Sequence, residues 1–496
     1  MYGDWLQADE MGRGRGVEMN SRRAMSPGKW VGCLALFQLI VLVTIPYAFS
    51  SAPPLDVVEG LVWAPHWLLG TYKHPPLPSW LIEMSVLITR DVILGPYLLS
   101  QFCVALTYFF IYRLGRLVLD PIRAAAGTIL MAGTYYFTVP TLEFNHNVIQ
   151  LPLWSGALLV FGHVRRQPDR WIYWLILGAL SGLGLYGKYT FALLLIVLLI
   201  VALYEHLTRR AFATAKPYGA ALIGLVVFLP HLIWLFRNQF EPLNYAMERS
   251  GGATTSNPIW FLLAQLADHL PILFILAVVG YRGLFRAETA IAPLNDRNFL
   301  RLIAFGPLLL TLVLFVVSGS SGKDMWGMPM FTPLGLCLVA EFGRRWSMPH
   351  LGRAALAAMA LIGLVGTGFI VQSLYPYGRI APRSNWPMQE LAGKVDEAWK
   401  GHSNQPLGFI GGAPFAAGLV AIGLDSRSQV VIGSDLTHSP WVSEEQIAKR
   451  GIVFVLQQDQ APPALCSEGA YKSKILLSDP LIPPLWAIVC PPKRTD

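Results

Sequence analysis

Runs rich in Leu, Ile, Val, Ala and Phe recur between residues 30 and 374, each close to the roughly 20 residues a helix needs to cross hydrocarbon. They predict eleven membrane spans, at about 30–50, 96–118, 124–140, 148–164, 171–186, 190–206, 218–236, 258–280, 302–318, 328–343 and 354–374. Most connectors between them are short; the stretch 51–95 is too long to be a simple one. From about 375 the pattern changes. Residues 385–400 repeat apolar positions at helical spacing, and LGFIGG, QVVIG, GIVFVLQ, KILLS and WAIVC read as strands separated by Gly, Pro, Asp and Ser, with a helix at 443–450. The fold class expected is an all-α polytopic membrane bundle with a small C-terminal α/β domain.

Charge then orients the bundle. The chain is 54% hydrophobic and 14% charged over 496 residues, against about 25% charged in soluble proteins. A net charge of +8 would suit nucleic acid, but the basic residues sit in short clusters between apolar runs. Alternate loops hold Arg113/Arg116/Arg123, Arg165/Arg166/Arg170, Arg209/Arg210/Lys216, Arg282/Arg286/Arg297/Arg301 and Arg344/Arg345/Arg353. The other loops hold only Lys73, Arg90, Lys188, Arg237, Arg249 and Lys323. By the positive-inside rule the N-terminus is cytoplasmic, and an odd span count places the C-terminus outside. The expected organisation is a cytoplasmic tail (1–29), a transmembrane domain (30–374) whose first external loop is 51–95, and an extracytoplasmic domain (375–496). Ala48-Phe49-Ser50 loosely resembles a signal-peptidase site, but the long apolar run favours a retained helix. Cys33, Cys103 and Cys337 fall in spans; Cys466 and Cys490 could pair if the tail is extracytoplasmic, which spacing alone does not decide.

The first external loop is rich in chemistry-bearing side chains. It opens Pro53-Pro54-Leu55-Asp56-Val57-Val58-Glu59, placing two carboxylates three apart on one helix face. The pair suits a general base and its partner; it equally resembles a helix N-cap. Tyr72-Lys73-His74-Pro75-Pro76-Leu77-Pro78-Ser79-Trp80 follows, with cations on a proline-stiffened backbone beside an aromatic, which suits a phosphate or a rigid turn with an interfacial anchor. Gly187-Lys188-Tyr189 and Gly322-Lys323-Asp324 each place a lysine in an external turn. One such lysine is ordinarily a snorkelling side chain; several on the depleted side suggest a shared anionic ligand. Glu143, Asn145, His146 and His231 are secondary candidates for substrate contact.

Taken in order, the Asp-x-x-Glu pair, Tyr72-Lys73-His74-Pro75-Pro76, Gly187-Lys188-Tyr189 and Gly322-Lys323-Asp324 before a Pro-rich span resemble glycosyltransferase family 39. This GT-C group includes protein O-mannosyltransferases and the aminoarabinose and galacturonic acid transferases of bacterial lipopolysaccharide. The resemblance covers about residues 30–345. It departs from the family where an Asp-Glu dipeptide is usual, since Val57 follows Asp56. It implies a hexosyl or pentosyl transferase of the bacterial inner membrane, taking sugar from a polyprenyl-phosphate donor to a glycan, lipid or protein acceptor in the periplasm by inverting single displacement. Asp56 inherits the catalytic carboxylate role and Glu59 stands beside it, while Lys73, His74, Lys188 and Lys323 would meet donor phosphate. No metal or cofactor is expected, although a divalent ion at Asp56 and Glu59 stays open; two carboxylates are a thin ligand set. The chain carries no dinucleotide-type glycine fingerprint and no cytoplasmic loop long enough for a nucleotide-sugar domain. The alternatives are a polytopic transporter or lipid flippase, which would place ionisable groups near the midplane, and a scaffold presenting residues 375–496.

Overall fold

The computed structural model describes residues 25–251, 258–280, 292–319, 322–342, 346–378, 381–424, 428–458, 460–466 and 469–493. Residues 1–24 of the expected tail, and Arg282, Arg286, Arg344 and Arg345, lie outside the described residues. Among the described residues the membrane part is built of the helices α1 (Pro27–Phe49), α2 (Leu55–Trp63), α3 (Leu77–Thr89), α4 (Leu94–Val118), α5 (Pro121–Leu130), α6 (His146–Arg166), α7 (Trp171–Gly187), α8 (Phe191–Tyr204), α9 (His206–Ala211), α10 (Lys216–Arg237), α11 (Glu241–Gly251), α12 (Pro258–Asp268), α13 (Pro271–Val279), α14 (Leu294–Ser318), α15 (Leu334–Phe342) and α16 (Met348–Leu374). Among the described residues, seven spans are long and apolar enough to cross a bilayer: α1, α4, α6, α10, the α12–α13 pair, α14 and α16. Their outward faces carry exposed Leu225, Val226, Leu309, Val313 and Leu364, which only a lipid solvent leaves favourable.

Four of the eleven expected spans are shorter elements. The 171–186 and 190–206 runs form α7 and α8, of 17 and 14 residues. The 124–140 run ends its helix at Leu130 and continues as three short 3₁₀ turns. There Gly133 meets the backbone of α13, a Cβ being only 2.8 Å from Ile272 Cα, and Pro140 lacks a donor. The non-helical carbonyls are satisfied from inside the bundle: Gln38 Nε2 donates to Phe137 O at 2.6 Å and Gln101 Nε2 to Thr141 O at 2.9 Å. Irregular backbone beside hydrocarbon needs such internal partners. The 328–343 run begins as turns around Pro329 and Pro333 before α15 starts. Elsewhere small residues let backbones touch. On α7 a Cβ at Gly178 would sit 2.2 Å from Ala220 O of α10.

Beyond the bundle come α17 (Met388–Lys400), β1 (Phe409–Gly412), α18 (Pro414–Gly423), β2 (Gln429–Ile432), α19 (Glu444–Arg450), β3 (Ile452–Leu456), β4 (Tyr471–Ile475) and β5 (Leu485–Cys490). The sheet order is β2-β1-β3-β5-β4, with β1 parallel to β2 and β3, and β5 antiparallel to β3 and β4. Ser443 and Gln446 form a reciprocal capping box that starts α19. One expectation shifts and one helix, α18, was not expected. The KILLS strand lies earlier, at Tyr471–Ile475, because a half-exposed edge strand needs no apolar run, and the helix α18 carries no polar face to reveal it. Cys466 and Cys490 are joined in a disulfide with Cα atoms 5.4 Å apart. The core of this domain is continuous with α2: Val58, Val62 and Trp63 pack among Trp386, Phe415, Leu419 and Val455.

Candidate active site

Helix α2 begins at Leu55 after Pro54, whose side chain makes no cap. Asp56 is therefore not an N-cap. Its backbone N–H, one of the unpaired donors of the first turn, donates to Glu143 Oε1 at 2.6 Å. Its own carboxylate accepts from Asn145 Nδ2 at 3.0 Å. Glu143 thus does the capping, and the positive end of α2 favours both carboxylates. Burial, and then the adjacent Asp56 carboxylate, push the Glu143 carboxyl above the usual carboxylate range. Two acids in unequal surroundings, one bonded through a side-chain amide and the other raised, are an arrangement in which roles separate.

Glu59, one turn later, chelates Lys73, with Nζ 2.7 Å from both carboxylate oxygens. Lys73 sits on a turn organised by Thr71, whose hydroxyl accepts from the backbone N–H groups of Lys73 and His74 and donates to His74 O. Pro75 and Pro76 then stiffen the backbone into α3. The His74 ring lies 4.0 Å from that of His146, and His146 Nε2 is 3.3 Å from Pro75 O.

Helix α6 delivers the third strand of contacts. Asn145 is its N-cap, accepting from Asn147 N at 2.9 Å and Val148 N at 3.3 Å while its amide reaches Asp56. Lys188, just past α7, donates to Asn147 Oδ1 and faces the Trp326 ring at 5.7 Å. Burial, the largest influence, lowers Lys188 to about 8; Asp56 pulls it back up and Lys323 adds to the lowering. Lys323 itself is exposed, at the start of the Asp324–Gly327 turn.

The structure thus brings together Asp56, Glu59, Lys73, His74, Glu143, Asn145, His146 and Lys188, with Lys323 at the margin. His231 stands apart. It is fully buried in α10, with Nδ1 2.5 Å from Leu69 O and Nε2 2.8 Å from Tyr189 OH, so both nitrogens tie loops to that helix. Asp56, Glu59, His74, Asn145 and His146 line a cavity of only about 10 Å³, room for about one water, so the site is closed in this conformation. Among the described residues no three His, Cys, Asp or Glu side chains converge as metal ligands.

Several neighbours carry no signal in the sequence. Arg383, from the segment before α17, is close enough to draw the Glu143 carboxyl back down. Tyr72 stacks on His438 at 4.0 Å and meets Tyr245 edge-on at 6.0 Å, and His66 stacks on Trp441 at 4.4 Å. Only the folded chain shows that α11 and the tail domain close over Lys73.

Residues 73–234 match the family described as dolichyl-phosphate-mannose-protein mannosyltransferase. The lipopolysaccharide core galacturonosyltransferase RgtA of Rhizobium johnstonii is 24% identical over 58% of this chain and 56% of its own length. The alignment therefore spans little more than half of that relative. The undecaprenyl phosphate-alpha-4-amino-4-deoxy-L-arabinose arabinosyl transferase 1 of Sodalis glossinidius is 26% identical over 75% of this chain and 70% of its own. The crystal structure of ArnT from Cupriavidus metallidurans bound to undecaprenyl phosphate superposes with a TM-score of 0.61, over 93% of this chain and 98% of that one, at 13% identity. The chain is thus similar in sequence to these lipopolysaccharide sugar transferases and shares its fold with ArnT.

Proposed function

We propose that this protein transfers a hexosyl or pentosyl unit from a polyprenyl-phosphate donor to an acceptor hydroxyl on the outer side of the bacterial inner membrane. The observation that carries the reading is one constellation: the Asp56 carboxylate, oriented by Asn145, beside the cations of Lys73 and Lys188 and the imidazole of His74. A polyprenyl tail stays in the bilayer while its head group rises to this surface. The acceptor oxygen attacks the anomeric carbon from the face opposite the phosphate, and the carbon–phosphate oxygen bond breaks. The acceptor proton passes to Asp56. The leaving polyprenyl phosphate gains negative charge, which Lys73, Lys188 and Lys323 meet as fixed cations, with His74 supplying a hydrogen bond. One displacement inverts the anomeric carbon. Glu59 tethers Lys73 until phosphate replaces it. The names of the relatives, galacturonosyl and aminoarabinosyl transferases of lipopolysaccharide or an undecaprenyl phosphate donor, support this donor class and a glycan or lipid acceptor, with protein as the other acceptor class. The alternation of basic loops supports a cytoplasmic N-terminus and a periplasmic tail domain.

The test is Asp56→Asn in a strain lacking the native copy, with envelope glycans read by mass spectrometry. The variant is expected to insert and accumulate normally yet leave the product sugar absent. Wild-type levels of that sugar would remove Asp56 as the base.

A further inference from the structure

The helix that carries Asp56 and Glu59 belongs to two cores at once. Val57 and Leu61 pack into the membrane bundle, while Val58, Val62 and Trp63 pack into the core of the tail domain. The contact on the tail side is built around a glycine. A Cβ placed on Gly418, in the middle of α18, would lie 2.5 Å from Val58 Cγ1 and 3.2 Å from Val62 Cγ2. The chain entering α2 is held from the same side, since Ser51 N and Ala52 N both donate to Ser384 O, at 2.7 and 3.1 Å. Arg383, next along, is a tail-side cation whose charge acts on Glu143, which caps α2. Residues 383–418 thus hold the start and the outer face of this nine-residue helix and place a charge near the side chain that caps it.

We infer that the tail domain is a positioning element of the catalytic centre, and that Gly418 is the residue whose missing side chain sets where α2, and so Asp56, stands. This inference rests on the reading of Asp56 as the base. The two functions of the site differ in tolerance. Lys73 is a point charge on a flexible stem and can follow a phosphate through a small shift. A base must reach one hydroxyl proton, and a misplacement of about 1 Å can cost a factor of about a hundred. A shift of α2 is therefore expected to separate turnover from donor binding.

The experiment uses full-length protein and four variants: Gly418→Ala, Gly418→Ala with Val58→Ala, Val58→Leu, and Gly393→Ala. The last adds a methyl on α17 where nothing lies within 4 Å, and serves as the control. Turnover is read as envelope product per folded protein, and binding with undecaprenyl phosphate as the probe. Gly418→Ala is expected to lower turnover at least tenfold with the probe's Kd changed less than threefold. Val58→Leu, pressing on the same contact from α2, is expected to do likewise, and it carries the test if Gly418→Ala does not fold. Removing the Val58 methyls makes room for the new one, so the double variant is expected to recover most of the loss, and Gly393→Ala to match wild type. Turnover within twofold of wild type for both single variants would overturn the inference, as would a folded double variant no better than Gly418→Ala. Asp56→Asn, run alongside, distinguishes the failures: an active Asp56→Asn sinks the base reading, whereas an inactive one with an active Gly418→Ala sinks only the positioning role.

Discussion

At the residue scale, Lys188 ties the site to pH. Burial brings its ammonium down to about 8, and only the charged form attracts phosphate. In the free protein the charge is fully present well below pH 8 and is lost as pH rises through it. With the phosphate monoester's second ionisation, at about pH 6, already complete, affinity for undecaprenyl phosphate is therefore expected to fall progressively above about pH 8, approaching tenfold per unit. Lys188→Arg keeps its charge throughout this range and is expected to flatten the decline, even if its longer fork weakens binding overall. Titrating affinity by isothermal calorimetry in both proteins checks this; an unchanged slope in the arginine variant would move the titration to another group. Much of this candidate cluster was legible from single residues. Charges stranded in loops of the depleted side had little structural reason to be there, and Asp56, Glu59, Lys73, His74, Asn145, His146 and Lys188 do converge. His231 carried the same surface cue but folded into a buried tie between helices. Arg383, Tyr245 and His438 were not legible, because ordinary polar residues acquire meaning only when long-range packing sets them beside Tyr72 or Glu143.

At the scale of elements, the N-terminus of α6 does two jobs through one side chain. Asn145 Oδ1 caps the helix and its amide orients Asp56. The two are separable. Asn145→Ser keeps an oxygen for the cap but loses the amide donor, so the melting temperature is expected to stay near wild type while transfer falls at least tenfold. Asn145→Ala loses both and is expected to cost about 1 kcal/mol of stability in addition. Thermal denaturation in detergent, paired with product analysis, reads the two effects; parallel losses of stability and activity across both variants would mean that the cap alone matters. The elements themselves differ in how far sequence revealed them. Long apolar helices announce themselves by composition. Helix α5 did not show its early end, since Gly133 and Pro140 break it only in concert with the glutamines that rescue its freed carbonyls. Helix α18 was invisible for the opposite reason: buried on one side by the sheet and on the other by α2, it has no polar stripe to give a helical period.

At the scale of the whole molecule, α6 links the candidate site to a charged cluster. Its start carries Asn145 and His146 in the site, and its last turn carries Arg165 and Arg166. At a rise of 1.5 Å per residue its 21 residues reach about 30 Å, the thickness of the hydrocarbon core. Arg165, almost fully buried, is bonded there to Glu205, to Asp296 at 3.3 Å, and to the Phe299 face at 3.8 Å. Stripping one partner from such a cluster leaves an unpaired buried charge, typically worth about 3–5 kcal/mol. Arg165→Ala is therefore expected to lower the amount of folded protein while leaving the folded fraction's affinity for undecaprenyl phosphate unchanged, because the cluster lies a membrane's thickness from the site.

The same geometry makes sidedness testable. Arg165, Arg166, Arg297 and Arg301 crowd the end remote from Asp56, and the Glu59–Lys73 turn, Lys188 and Lys323 share the other. By the positive-inside rule Asp56 is expected to face out, and the Cys466–Cys490 pair in the tail suits an oxidising compartment. Cysteines at Lys323 and at exposed Arg116, introduced one at a time, should separate these faces. In intact spheroplasts a membrane-impermeant maleimide is expected to label Lys323→Cys and to spare Arg116→Cys until the cells are lysed. A non-reducing gel shift is expected to show the tail disulfide in the same cells. Labelling in the reverse order would put the carboxylates in the cytoplasm, where nucleotide sugars are made, and a lipid-linked donor would lose its reason.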